Sequence, residues 1–296
     1  MATQSKGSRR GSPKPPPDHQ RHVAHAFGRV NAAALRSLYR PQIEEEYGVR
    51  AVPVKSALAL VTTSLVPDFN RVVNLGVFEP ATAAQIDEIL ELYARAHVPF
   101  TVQLSPIARP ATVTPWLEQR RLRPSGEWTV LSRDVAPPRE EDVALQIARI
   151  GRQDAATYAR VYEAAFGIPF RQGALAASAI GEPGWHHYLA SDEVRAIAAA
   201  AMFVHEGTAL FAGSGTLASE GGRGAQTALI ARRIRDAAAL GCDLVLVETG
   251  EPIGDEPPPS LRNILRAGFA VAERQPCYVY DQGFRQRLDM AGGRWH

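Results

Sequence analysis

Residues 209–248 read ALFAGSGTLASEGGRGAQTALIARRIRDAAALGCDLVLVE, and the order of patterns within that stretch decides the fold. Residues 209–217 are an apolar run of strand length. Residues 220–224 are a glycine-rich turn. From residue 225 to 240 apolar side chains recur at helical spacing, through Ala228, Leu229, Ile234 and Ala238, and Gly241 ends the helix. Residues 244–248 form a second apolar run, which must lie parallel to the first because a helix joins them. A glycine-rich turn opening a helix leaves amide N–H groups unpaired at the positive end of the helix dipole, which suits a phosphate. A pyrophosphate-bearing cofactor is therefore expected. Gly221-Gly222-Arg223-Gly224 matches neither Gly-x-Gly-x-x-Gly nor a Walker sequence, so dinucleotides and nucleoside triphosphates lose ground. A turn that does no more than join strand to helix is the plain alternative.

Upstream, residues 185–190, 195–205 and 209–217 are apolar runs split by Ser191-Asp192 and Glu206-Gly207, the turn chemistry of an antiparallel meander. A strand over 143–150 and a helix over 154–165, with Tyr158, Val161 and Tyr162 on one face, precede it. The first half of the chain shows strands at 56–63 and 71–77 around a Pro67-Asp68 turn. Thr82 can cap a helix carrying Ile86, Ile89, Leu90 and Tyr93. A strand at 100–104, a helix near Trp116 and Leu117, and a strand at 127–133 complete that half.

At 296 residues two domains are expected. The patterns place a disordered Ser/Gly/Pro-rich tail at 1–24, a first domain at 25–135, a linker at 136–142, a second domain at 143–285 and a tail at 286–296. A net charge of +2 does not suggest nucleic-acid binding, and a basic arm at 1–20 is the functional alternative to a plain tail. Cys242 and Cys277 are too few for a disulfide framework and too far apart for a metal pair, so no metal is expected. Without an apolar run of about 18 residues or a signal peptide, the expectation is a cytoplasmic protein off the membrane.

The stretch Thr216-Leu217-Ala218-Ser219-Glu220-Gly221-Gly222-Arg223-Gly224-Ala225-Gln226 resembles the acetyl-coenzyme A signature of GNAT acetyltransferases, Arg/Gln-x-x-Gly-x-Gly/Ala. Ser260-Leu261-Arg262-Asn263 and Arg266-Ala267-Gly268-Phe269 resemble that family's closing helix and its turn into the next strand. Order and spacing agree over some 140 residues, meander included. The first half is similar too, in its strand–helix–strand order and in Asn74-Leu75-Gly76-Val77, but lacks the signature. The resemblance implies an α/β fold of two tandem GNAT-like domains, the first a degenerate copy. Each would be a mostly antiparallel sheet with flanking helices and a splayed parallel strand pair.

It further implies an N-acetyltransferase that moves an acetyl group from acetyl-coenzyme A to a primary amine in a ternary complex. A cofactor-binding sensor or scaffold without turnover is the alternative. Thr216 and Leu217 would pair by backbone with the pantetheine arm. Gly222, Arg223, Gly224, Ala225 and Gln226 would offer amides to the pyrophosphate, and Asn263 would contact the cofactor or cap its helix. Gly221 stands where the signature has Arg or Gln, and Gln226 where it has Gly or Ala, with Arg223 placed to compensate. Ile264 takes the place of the tyrosine that protonates the leaving thiolate. As the base, Glu248 ranks first because it ends the strand after the cofactor helix, with His205 and His186 behind it. Such residues are also commonly solvated or hydrogen-bonded without catalytic work. The acceptor would be a small-molecule or peptide amine, its pocket built by loops at 166–184 and 250–259. Oligomeric state is not legible.

Overall fold

The computed structural model describes residues 17–138, 143–167, 170–250 and 258–282. Its first half runs α1 (Pro17–Leu38), α2 (Glu44–Tyr47), β1 (Val49–Val54), β2 (Ala57–Thr62), β3 (Arg71–Val73), α3 (Ala83–Ala96), β4 (Phe100–Gln103), α4 (Val113–Gln119) and β5 (Arg123–Asp134). The second half runs β6 (Gln146–Ile150), α5 (Ala155–Phe166), α6 (Phe170–Ser178), β7 (Trp185–Ser191), β8 (Ala196–His205), β9 (Thr208–Thr216), α7 (Ala225–Ala239), β10 (Leu244–Gly250), α8 (Pro259–Arg266) and β11 (Ala270–Tyr280).

Local chemistry accounts for several of these elements. The Thr82 side chain accepts from the Gln85 amide and starts α3, whose Ile86, Ile89 and Tyr93 are buried at helical spacing. Turn residues Glu206 and Gly207, both with positive φ, join β8 to β9 as an antiparallel pair. Leu229, Ile230, Ile234 and Ala237 bury one side of α7 against the sheet residues Tyr188, Ala200, Met202 and Val245.

The eleven strands form one continuous sheet in the order β1-β2-β3-β4-β11-β5-β10-β9-β8-β7-β6. Each half keeps an antiparallel meander and one parallel pair, β3 with β4 and β9 with β10. The halves exchange their last strands. β11, from the second half, lies between β4 and β5 of the first, and β5 lies between β11 and β10. Trp128, Thr129 and Val130 of β5 thus pair with second-half residues on both sides.

Helix α1 corrects the expected tail at 1–24. Residues 17–24 are its first two turns, and Val23 and Ala24 are buried. Val23, Phe27, Val30 and Ala34 pack on Val130 of β5 and on Ala272, Leu246, Phe203 and Leu210 of the second half's strands, while Ala32 and Tyr39 join the core of β1 and β2. Residues 1–16, 139–142 of the expected linker, most of the 250–259 loop and the tail at 286–296 lie outside the described residues. The 166–184 segment, expected as loop, contains α6, and the strand expected over 71–77 pairs only over Arg71–Val73 before Asn74 turns the chain with φ 64°. Among the described residues no helix is long and apolar enough to cross a membrane.

Candidate active site

The parallel pair β9–β10 is hydrogen-bonded only where Thr208–Phe211 faces Leu244–Val247. Past Phe211 and Val247 the strands part, leaving a wedge. A bulge causes the parting. Ala199 faces Gly215 while Ala201 faces Ala212, so β9 carries one extra residue, with Gly213 and Ser214 opposite Ala200, and Gly213 takes φ 40° there. A Cβ on Gly213 would stand 2.6 Å from the Tyr162 ring, so glycine lets the phenol of α5 pack on the bulge.

At the end of β9 the Leu217 amide donates to the Ile197 carbonyl of β8, and the Leu217 carbonyl accepts from Glu220. Ladder alternation then turns the backbone groups of Thr216 away from β8 and toward the wedge. Thr216 is therefore free to pair with a ligand, whereas Leu217, expected to do the same, has spent both backbone groups. The turn that follows is open. Gly221 and Gly222 are exposed, no heavy atom lies within 4 Å of a Cβ built on Gly222, and Gly222 and Gly224 have φ of 82° and 76°. Among the described residues the amides of Gly222, Arg223, Gly224, Ala225 and Gln226 donate to no protein group, and α7 has no side-chain N-cap. These amides stand at the dipole's positive end, where they fit an anion such as a pyrophosphate.

The side chains around the turn carry their own bonds. Arg223 Nη1 lies 2.5 Å from Glu220 and 2.9 Å from Asp192, which ties this guanidinium nitrogen to the turn. The backbone hydrogen bonds from Arg195 and the Arg223 guanidinium hold the Asp192 carboxyl down to about 2. Asn263 Nδ2 donates to Gln226 Oε1 at 2.8 Å, and Gln226 Nε2 reaches the Ser260 carbonyl at 3.5 Å. The Gln226 found in place of Gly or Ala thus ties α7 to α8.

The first half has no such opening. Its corresponding turn, 74–82 before α3, is filled by the 105–110 loop: Arg109 donates to Gly76 and accepts from Ala81. A Cβ on Gly76 would meet the Arg109 carbonyl at 2.6 Å, and the Thr82 cap takes an amide of the helix start.

A cleft of about 950 Å³ runs from the wedge into the space between the two halves. Ser214, Gln226, Ile264 and Val247 of the second half line it, together with Asp68, Phe69, Arg71, Asn31 and Trp128 of the first. Glu248 lies in its floor. Its Oε2 is 3.1 Å from Arg71 Nη1, and its Oε1 accepts from Gln103 Nε2. Gln103 Nε2 also donates to Gln275, and Gln275 to Glu273, so a polar chain passes beneath the cleft through β4, β11 and β10. Neither histidine lines the cleft. His186 faces the α7 side of β7 beside Tyr188, and His205 ends β8 at the surface, 3.7 Å from Glu206. The place of Glu248 after α7 set it ahead of the two histidines in the sequence, and only the strand exchange brings Arg71 and Gln103 to it.

Two cleft residues were not legible in the sequence. Arg233 of α7 is 1% exposed, with no carboxylate partner among the described residues. It donates to the carbonyls of Leu229 and Ala201 and to Ser214 Oγ, and lies 4.1 Å from the Phe211 ring centroid, so it pins the bulge. Burial pushes its pKa down to about 10, against raising by Tyr188 and Tyr158. Tyr162 lines the cleft beside that bulge with no hydrogen bond to its hydroxyl among the described residues, and burial pushes the phenol up to about 12, with Tyr39 adding to the shift.

A search of solved structures returns chains with this whole architecture. A GCN5-related N-acetyltransferase from Kribbella flavida superposes with a TM-score of 0.62 at 16% identity, covering 88% of this chain and 97% of its own. One from Sphaerobacter thermophilus gives 0.57 at 16% identity, covering 88% and 93%. A tandem GNAT protein from the clavulanic acid biosynthesis pathway gives 0.54 at 12% identity, covering 76% and 78%. The fold is a tandem GNAT fold. Coverage of both halves by single chains extends the likeness past the signature-bearing half and includes the first GNAT-like unit. A scan of protein-family models and a search of curated proteins each find no match. Within the GNAT fold, the wedge and the turn at 220–224 belong to the second unit, and the cleft lies where both units meet.

Proposed function

We propose that the chain is an N-acetyltransferase that moves an acetyl group from acetyl-coenzyme A to a primary amine, with one donor site, in its second GNAT unit. The observation that carries this reading is the set of unpartnered amides at Gly222 to Gln226, placed beside an open wedge between parallel strands. Those amides hold the pyrophosphate, Thr216 pairs with the pantetheine arm, and the thioester reaches the bulge at Gly213. Leu217 orders the turn. Asn263 and Gln226 hold α8 against α7.

In the transfer step the acceptor nitrogen attacks the thioester carbonyl carbon. The C–N bond forms, and the C–S bond breaks with its electron pair staying on sulfur. The Tyr162 hydroxyl, protonated up to about 12, gives that sulfur its proton in place of the residue that Ile264 replaces. The proton lost by the amine passes through water in the cleft to the Tyr162 phenolate and restores the hydroxyl. Glu248, engaged by Arg71 and Gln103, fixes the floor, and His186 and His205 take no part.

The test is thiol release from acetyl-coenzyme A in the presence of a panel of primary amines, run beside a thermal-shift titration with acetyl-coenzyme A and coenzyme A. Binding together with amine-dependent thiol release supports the reading. Binding with no release by any amine reduces the protein to a sensor, and absence of binding ends the proposal.

A further inference from the structure

The bonds of the buried Arg233 converge on the bulge. From α7 its Nη1 donates to the Ala201 carbonyl of β8 at 2.9 Å and its Nη2 to Ser214 Oγ of β9 at 3.2 Å, while Nε donates to the Leu229 carbonyl of its own helix at 3.1 Å. Ala201 stands at one side of the irregular step between the strands, and Ser214 lies within it. The guanidinium therefore clips β8 and β9 together where their register breaks. A buried ion with no carboxylate to balance it costs stability that an apolar side chain would not, and a cost taken at this place points to work done at the bulge.

The bond from Arg233 decides what Ser214 can do. A serine hydroxyl has one proton and two lone pairs. Nη2 occupies a lone pair, and the positive charge behind it turns the hydroxyl proton away from the guanidinium. Among the described residues that proton goes to no acceptor, although Ser214 is half-buried and lines the cleft just past the point where β9 and β10 part. Ser214 and Tyr162 reach the bulge from opposite faces of the sheet: α5, which carries Tyr162, packs on the Ala199 side of β8, and α7 packs on Ala198 and Ala200. A thioester lying in the wedge between the strands meets one hydroxyl at its sulfur and the other at its carbonyl oxygen.

From this arrangement we infer that Ser214 is a catalytic residue whose hydroxyl donates to the thioester carbonyl oxygen, and that Arg233 is the positioning residue that holds it as a donor. The inference rests on the acetyltransfer reading. As the amine nitrogen attacks, the carbonyl π electrons move to oxygen, and the hydrogen bond from Ser214 strengthens while its proton stays on Oγ. Collapse of the tetrahedral adduct re-forms C=O and expels sulfur with its electron pair, so Ser214 ends the step unchanged. The Arg233 charge, held 4.1 Å from the Phe211 ring centroid and out of water, adds its field to the same oxygen.

The test is difference infrared spectroscopy of acetyl-coenzyme A, isotope-labelled at the thioester carbonyl and bound to the full chain, to Ser214→Ala, to Ser214→Thr and to Arg233→Lys. Calorimetry supplies the affinity of each for acetyl-coenzyme A. Ser214→Ala removes one half-buried oxygen, so folding is preserved, and Ser214→Thr keeps the hydroxyl. A hydrogen bond weakens the C=O bond, so the stretch is expected at lower frequency in the natural chain and in Ser214→Thr than in Ser214→Ala. Arg233→Lys, which replaces the fork spanning Ala201 and Ser214 by a single ammonium, should fall between them. With any amine that supports thiol release, kcat in Ser214→Ala is expected to drop roughly a hundredfold at unchanged affinity for acetyl-coenzyme A. An equal stretch in the natural chain and Ser214→Ala, or a full kcat in that variant, overturns the assignment of Ser214. An unshifted stretch in Arg233→Lys overturns the part given to Arg233, whatever its melting temperature. Failure of the natural chain to bind acetyl-coenzyme A is a different result, and it ends the acetyltransfer reading together with the inference built on it.

Discussion

Arg71 Nη1 lies 3.1 Å from Glu248 Oε2, and this ion pair joins β3 of the first unit to β10, the strand that follows α7. Both side chains are nearly out of water, at 12% and 13% exposure, so each is the other's main compensation for lost hydration. Arg71 also lies over the Trp128 ring at 5.2 Å, in the strand shared by both units.

Removing one partner should therefore cost far more than removing both. Arg71→Met is expected to destabilise the protein by about 3 kcal/mol, because it leaves Glu248 charged and unpaired, whereas Arg71→Met with Glu248→Leu should recover most of that loss. Urea unfolding of the two variants and Glu248→Leu alone supplies the cycle. Additive losses would show that the pair does not couple the units.

Tyr162→Phe removes only the hydroxyl. If that hydroxyl delivers the proton to sulfur, kcat should fall by about ten- to a hundredfold, with the KM for acetyl-coenzyme A and the melting temperature unchanged. Ile264→Tyr in the same background should restore part of the rate. A Tyr162→Phe enzyme with full kcat would assign proton delivery to water.

His187 packs edge-on against Tyr158, 4.9 Å between ring centroids, and its Nδ1 is buried without a partner. Burial pushes its pKa down to about 4, a hydrogen bond with the Ala176 backbone opposes this, and His186 adds to it. The folded protein thus keeps His187 neutral down to about pH 4, while the unfolded chain takes up the proton near 6.5. The unfolded state binds more protons between these limits. Stability is full above 6.5, is lost as pH falls toward 4, by about 3 kcal/mol from this group, and is flat below. Melting temperatures across pH 4 to 7 check this; His187→Gln should flatten the slope, and an equal slope in that variant would contradict it.

The second unit was legible because its parts are local. A strand of alternating and apolar character, a glycine turn and a helix with a 3.6-residue repeat each announce themselves within about fifteen residues. Helix α1 was hidden by the polar, proline-broken composition before it, which reads as a tail through residue 24, although Val23, Phe27, Val30 and Ala34 fall at helical spacing. Pro17 instead occupies the first helical position, where a missing N–H costs nothing.

What the sequence could not convey is set by distant partners. The exchange of β5 and β11 depends on pairing across more than a hundred residues, and with it come the contacts of Glu248 with Arg71 and Gln103. The order of elements put Glu248 ahead of His205 and His186, but nothing local in the sequence showed that Glu248 lies in the cleft floor against Arg71 and Gln103 while neither histidine lines the cleft. Arg233 looked like one more polar residue of α7, because a buried arginine without a carboxylate breaks the usual rule of charge outside. Leu217 lost its expected role for a similar reason, since the bond from its amide to Ile197 depends on the register of β8.

The measurement that bears most directly on the whole account is the stoichiometry of acetyl-coenzyme A binding by titration calorimetry, in the natural chain and in Gly222→Glu. Position 222 has open space around its Cβ, so the added carboxylate enters the amide cradle without a clash, at about 1 kcal/mol of backbone strain from the positive φ. One site per chain is expected, because the first unit's corresponding turn is filled by the 105–110 loop, and Gly222→Glu should abolish it. Two sites, no site, or a single site that survives Gly222→Glu would contradict this expectation.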